Sequence, residues 1–452
     1  MEATGSRPQL FSNRDLLNLT IPIMLNSLMA IAAGMVDSAM VSSAGEAAVS
    51  AVSLVDSFNI LFISMFVAIS TGGSVVVSQY VGSKNFKRAC ISANQLLYIS
   101  VSIATVLMCI MLPLVKPILR LVYGSLDESV MQNAIIYFTI TLMGYPLSAI
   151  GNSCTAVLQA MGKSRQAATI NITYNIINVI GNAVLIYGFH MGVAGAAIST
   201  NFCRVVFAVM GLYLAHSKKL PVRFVDLLKF HLDFDAIRRV MRIGVSNGVE
   251  NSLFNVGKLM VAGLVSSFGT VYIAANSVAN TINNIGWNIV ASFGTVLLTV
   301  VGQCIGAGEP NQAKYYTKKL LTVATVVMLV LFSGVFLLRH HLVRIFDFND
   351  ETLEVAAYYT GIAAVMSMIT MYPFAFVAVH AFRAAGDIRY AVTLSIFSMF
   401  AFRVGMCYLL NALFPSLGLI VLYIGMTMDW GFRSTCNIIR FRSEKWLHKK
   451  LI

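Results

Sequence analysis

Val41-Ser42-Ser43-Ala44-Gly45 returns, 224 residues later, as Val265-Ser266-Ser267-Phe268-Gly269. The same offset carries Gln79-x-x-Gly82 and Ala89 onto Gln303-x-x-Gly306 and Ala313, and Ala160-x-Gly162-x-x-Arg165 onto Ala384-x-Gly386-x-x-Arg389. One fixed offset held across all three motifs means an internal duplication without a net gap. In a membrane chain, two such halves form two helical bundles with a substrate path between them.

A membrane chain is what the composition describes. Of 452 residues, 58% are hydrophobic and 11% charged, where a soluble domain carries roughly 25% charged residues; mean hydropathy is +0.77. Twelve apolar stretches are each long enough to cross a hydrocarbon core as helix: 14–43, 51–81, 90–118, 131–159, 166–189, 192–216, 239–268, 273–304, 315–338, 353–381, 389–413 and 417–440. Strand barrels would alternate in segments of about 10 residues. The expected fold is all-α: twelve transmembrane helices in two six-helix lobes, 1–216 and 239–452, joined by a cytoplasmic linker, 217–238. Six spans per half make the repeats parallel. Residues 1–15 are polar and the next apolar run exceeds a signal core, so the first span is expected to remain as an uncleaved anchor.

The net charge of +13 is a matter of placement. With both termini cytoplasmic, 24 of the 32 Lys and Arg fall on the inner side and four (Lys116, Arg120, Arg339, Arg344) on the outer; Arg204, Lys258, Arg403 and Arg433 lie inside spans. This positive-inside bias accounts for the basic balance without a nucleic-acid partner. The linker holds Pro221 and an amphipathic piece, Leu227–Phe234, read either as lying on the inner leaflet or as a solvated connection. Seven scattered cysteines form no Cys-x-x-Cys pair and read as small buried hydrophobes. His340-His341, near Asp347, Asp350 and Glu351, reads as a solvated outer loop, with a metal site the alternative. No cofactor is expected.

Ionisable groups at bilayer depth are costly and so point to function. Asp37 lies in the outer half of the first span. Asn171, Asn175, Asn178 and Asn182 recur at spacings of 4, 3 and 4 on the fifth, hence on one face; Asn178 and Asn182 reach the depth of Asp37, as does Thr200 on the sixth. Asn171 and Asn175 read as interhelical glue. A carboxylate there can be a neutral acid or a cation-bound anion, the two states an ion-coupled switch needs. Pro22, in the same span, weakens the helix and reads either as a hinge or as a static kink. The halves differ at these places: Asp37 faces Val261 in the repeat, and the asparagines face Ser395, Met399, Phe402 and Met406. The second half instead carries Glu250, Lys258, Arg403, Asp429 and Arg433, a structural ion network or second coupling site; Asp429 and Arg433 are positioned i, i+4 to pair.

In this order the residues resemble the multidrug and toxic compound extrusion (MATE) transporters. The resemblance runs through Pro22 and Asp37, Ala48-x-x-Ala51, Ser78-Gln79-x-x-Gly82, Gly162-x-x-Arg165, Asn178-x-x-x-Asn182, Gly192-x-x-Gly195-x-Ala197-x-x-Thr200 and Arg440-Phe441-Arg442-Ser443-x-Lys445-Trp446. It implies alternating access and efflux of organic cations or drugs against H⁺ or Na⁺, with Asp37, Asn178, Asn182 and Thr200 as the cation-coupling site. With Asn at 182 that site holds one carboxylate. No acid on the tenth helix and an early Glu250 favour the DinF-like branch. The alternatives are a lipid-linked oligosaccharide flippase of the same superfamily, which would use Lys258 and Arg403, and a membrane-embedded enzyme, for which no catalytic constellation is apparent. A monomer in a bacterial inner membrane, with lipid and small organic molecules as partners, is the matching setting.

Overall fold

The computed structural model describes residues 9–124, 127–225, 227, 232–346, 348–449 and 451. Every regular element among them is helical. Joined across bends and wide turns, they make twelve runs: α1 (Asn13–Ser42), α2 (Glu46–Gly82), α3 (Phe86–Tyr123), α4 (Glu128–Met143 bent by 47° into Tyr145–Ala160), α5 (Ser164–Gly188), α6 (Gly192–Ala215), α7 (Phe234–Ser266), α8 (Thr270–Gly306), α9 (Pro310–Val343), α10 (Asp350–Ile369 continued by Pro373–Ala384), α11 (Ile388–Leu413) and α12 (Ile420–Arg442). Each falls on one of the twelve expected stretches. Among the described residues, length and apolarity alone qualify nine helices as spans, or ten with bent α4. The two that fall short, α7 and α12, carry interior charges: Glu250 and Lys258, and Asp429 and Arg433.

The duplicated motifs occupy duplicated backbone. Gly45 and Gly269 precede α2 and α8 with φ/ψ of 102/165 and 103/167, a region essentially closed to residues with a Cβ. The Ala160-x-Gly162-x-x-Arg165 motif and its repeat at Ala384 close α4 and α10 in the same way as each other. Lys163 N–H donates to the Leu158 carbonyl at 2.8 Å, and Asp387 N–H to that of Phe382 at 2.9 Å, the long closing bond of a glycine-capped helix end. The shared sequence is therefore turn and cap chemistry.

Two compact units divide the chain: Ile21–Gly248, and Met1–Thr20 with Val249–Ile452. The divisions fall inside α1 and α7 rather than in the 217–238 connection. In the first unit, Val55, Phe66, Phe138, Leu142 and Tyr145 are fully buried between α2 and α4. Its segment of α7 approaches α2 so closely that a Cβ on Gly72 would lie 2.6 Å from the Val240 carbonyl oxygen. The linker is tied to α3: Asn94 Nδ2 donates to the Val225 carbonyl (2.7 Å), Tyr98 OH to that of Leu227 (3.1 Å), and Arg88 pairs with Asp233 (2.8 Å). Residues 228–231 of the amphipathic piece lie outside the described residues. In the second unit, the start of α1 is fastened to α9. Tyr316 OH donates to the Phe11 carbonyl at 2.8 Å, and the two rings meet edge to face.

His340 and His341 belong to the last turn of α9 rather than to a loop. Asp347 lies outside the described residues, among which no three His, Cys, Asp or Glu gather as metal ligands.

Candidate functional site

In the unit Ile21–Gly248, α5 and α6 bring the asparagine face to α1. Asn182 is fully buried and its Nδ2 donates to the Asp37 carboxylate; its Oδ1 has no donor. One turn earlier, Asn178 Nδ2 lies 3.5 Å from Thr200 Oγ1, a weak bond, while Ser199 Oγ donates to the Asn178 carbonyl at 3.2 Å. Asp37, Asn182, Asn178 and Thr200 thus form two hydrogen-bonded pairs on adjacent turns of α5. Asn171 bonds its own helix, at the Ala167 carbonyl (2.9 Å), and is not the interhelical tie expected of it. α1 runs helical through Pro22, two residues from the point where the chain passes from one unit to the other.

The single-carboxylate reading of this site is incomplete. Asp56 on α2 is half-buried and near enough for its charge to act on Asp37. Asn59 Nδ2 donates to Asp56 Oδ1 at 3.1 Å, Tyr137 OH approaches the same oxygen at 3.4 Å, and Tyr145 OH donates to Asn59 Oδ1 at 2.8 Å. Buried Arg204 stands 5.6 Å from the Tyr145 ring centre and donates to the Thr141 carbonyl at 2.5 Å. Asp56, Asn59, Tyr137, Tyr145 and Arg204 are therefore linked across α2, α4 and α6, with Asp37 within reach of the Asp56 charge. Asp56 is five residues into its apolar stretch, where depth counted along one helix reads as interface.

The charged residues of the second half separate into three arrangements. Arg433 Nε donates to Asp429 Oδ1 at 2.8 Å and its Nη2 to the Ser395 carbonyl at 2.9 Å, both residues being almost fully buried. Glu250, two turns from Lys258 on α7, pairs instead with Arg383 at the end of α10 (2.5 Å). Lys258 and Arg403 make no ion pair among the described residues. Both line a cavity of about 450 Å³ within the unit Val249–Ile452. Its walls also include Phe254, Trp287, Tyr372, Phe376 and Trp430, and the asparagines 276, 280, 284 and 288 of α8. That second asparagine stripe escaped the comparison of halves, yet its spacing of four is plain in the sequence; Asn280 is the counterpart of Asp56 under the 224-residue offset. Wide π-turns aim two of the lining residues: Phe376 lies in Pro373–Val377 and Arg403 in Met399–Gly405. Such turns displace side chains from regular helical faces and recur at functional sites.

The MatE family model matches residues 22–184 and again 247–409, the second match beginning and ending 225 residues after the first. The chain belongs to the MatE family. It is a multi-pass membrane protein of a family of transporters. Among its relatives are an uncharacterized transporter YisQ of Bacillus subtilis, 25% identical over 96% of this chain and 95% of that one, and a probable multidrug resistance protein NorM of Thermotoga maritima, 22% identical over 96% and 93%. The outward-facing structure of a multidrug resistance MATE family transporter superposes with a TM-score of 0.89 at 19% identity, covering 95% of this chain and 96% of that one. This MatE fold carries both polar sites just described.

Proposed function

We propose that the chain exports small organic molecules in exchange for H⁺ or Na⁺, as a monomer in a bacterial inner membrane with both termini cytoplasmic. The observation that carries the reading is the Asp37–Asn182 bond beside Asp56. Two nearby carboxylates in a poorly solvated site repel, so binding a proton or cation by one is favoured when both are ionised. A cation entering from outside would take Asp37 from Asn182 and could use the Asn182 Oδ1 that has no donor. Its release inside would restore the bond. Competition between that cation and a cationic substrate for one carboxylate would enforce exchange. This is amino-lobe coupling of the kind implied by the DinF-like resemblance, with Asn178 and Thr200 completing the oxygen set. Pro22 is the proposed point about which α1 repacks.

The test is dye efflux from sealed vesicles under separate H⁺ and Na⁺ gradients. Asp37→Asn is expected to abolish gradient-driven efflux, and Asp56→Asn to reduce it and shift its pH dependence. Full gradient-driven transport by Asp37→Asn sinks the reading; failure of only Glu250 or Asp429 variants moves coupling to the second lobe. Lys258 and Arg403 favour a second reading, a flippase for lipid-linked pyrophosphate sugars. It predicts translocation of such a lipid without dye efflux.

A further inference from the structure

We propose that the cavity in the unit Val249–Ile452 is a binding site for a planar aromatic acid, a carboxylate or phosphate on a flat ring. This does not depend on coupling at Asp37.

Charge comes first. The lining holds two cations, Lys258 and Arg403, and no Asp or Glu. Glu250 is bonded to Arg383; Asp429, next to the lining residue Trp430, bonds Arg433 through Oδ1 while its buried Oδ2 has no donor, and its charge reaches Arg403 without forming an ion pair. Arg403 is only 8% exposed, and its buried Nε has no acceptor. A buried guanidinium with an unmet N–H is unfavourable until an anion supplies the acceptor. Lys258 Nζ and the Arg403 guanidinium stand 5.1 and 5.6 Å from the Phe254 ring centre. Both cations thus stand beside one aromatic ring, as does Arg433 at 5.4 Å, which is already paired with Asp429.

Shape comes second. Trp287 is near-parallel to Tyr372 (centroids 6.4 Å, 18°) and edge-on to Trp430 (5.4 Å, 85°), and Tyr372 stacks on Phe376 (4.7 Å). These rings form one wall. The helix that carries Trp287, α8, also supplies polar lining: Tyr423 OH donates to Asn276 Oδ1 and Asn288 Nδ2 to Asn284 Oδ1, leaving amide N–H groups of Asn276 and Asn284 available as donors. A volume of about 450 Å³ suits a drug-sized ligand. The ring wall takes an aromatic body; the paired cations and amide donors take its acid head. Phosphate alone, or the head of an anionic lipid, would leave the ring wall unused.

The probe is 2-naphthoate, titrated calorimetrically into the full chain in neutral detergent, with tryptophan emission read in parallel. Two of the three tryptophans line the cavity; Trp446 does not. Naphthoate is expected to bind and quench, and 2-naphthamide and 2-naphthylmethylammonium to bind at least about tenfold more weakly, as fits loss of a charge-assisted hydrogen bond. Lys258→Gln and Arg403→Gln should each weaken naphthoate about tenfold and leave naphthamide unchanged; Lys258→Arg should restore binding, and unchanged naphthamide affinity shows that each variant is folded. Asp37→Asn should bind naphthoate normally, which separates this site from the coupling reading. Equal or tighter binding of the ammonium probe, or unchanged affinity in Lys258→Gln, overturns the proposal. So does displacement of naphthoate by inorganic phosphate or phosphatidylglycerol micelles at comparable concentration, because charge alone would then select the ligand.

Discussion

The residues that matter most are ionised groups whose neighbours decide their role. Asp429 and Arg433 are 0% and 3% exposed and bond each other within one helix. Removing one partner from such a pair strands the other, at a cost of roughly 3–5 kcal/mol. Arg433→Ala should therefore lower thermal stability in detergent sharply, while Asp429→Asn combined with Arg433→Gln should recover part of it. A double variant no more stable than Arg433→Ala would show that the arginine acts through Ser395 or its ring contacts instead. The sequence placed these two correctly, because i, i+4 spacing on one helix is enough to know that they meet. It could not place Glu250, whose partner Arg383 lies 133 residues away, nor join Asp56 to Asp37 across two helices.

At the scale of single elements, the repeat acts as an internal comparison of backbone. Lys84 adopts φ 58 where its counterpart Gly308 adopts φ 73. A left-handed residue with a Cβ costs about 1–2 kcal/mol, offset partly by the extra chain freedom a glycine loses on folding. Lys84→Gly is expected to stabilise the chain by roughly 0.5 kcal/mol, measured as a shift in unfolding temperature; a loss would mean that the lysine side chain supplies a compensating interaction. α1 offers the functional counterpart. Pro22 lacks the N–H that would hold the preceding turn and stands beside the Thr20–Ile21 division. On the proposed hinge role, Pro22→Ala should slow efflux several-fold and leave drug binding in detergent intact. Normal efflux would make the proline a static feature. The turn glycines and helix ends were legible from local sequence. The π-turns that aim Phe376 and Arg403 were not, since an extra residue in one turn leaves no mark in composition.

Across the whole molecule, the natural cut between repeats differs from the division between compact units. The start of α1 is bonded to α9 through Phe11, Tyr316 and the Leu10–Gln312 bond (2.9 Å), and the first half of α7 packs on α2 at Gly72. A chain split in the 217–233 connection should thus yield halves that are each unstable alone and active when co-expressed, as judged by detergent solubility and dye efflux. A stable isolated half comprising residues 1–216 would contradict that expectation.

By itself the sequence determined the class of molecule. Twelve apolar stretches, a fixed 224-residue offset, basic residues gathered in alternate connections and glycine-capped turns are each written over a few tens of residues, and bilayer thickness and backbone sterics read them locally. Only the tertiary structure decided which polar groups share a site. Asp56 joined Asp37, the α8 asparagines joined Lys258 and Arg403, and Glu250 was drawn away to Arg383. Those outcomes depend on how helices far apart in the chain pack and rotate against each other, and a periodicity within one helix carries no record of the face its neighbour turns toward it.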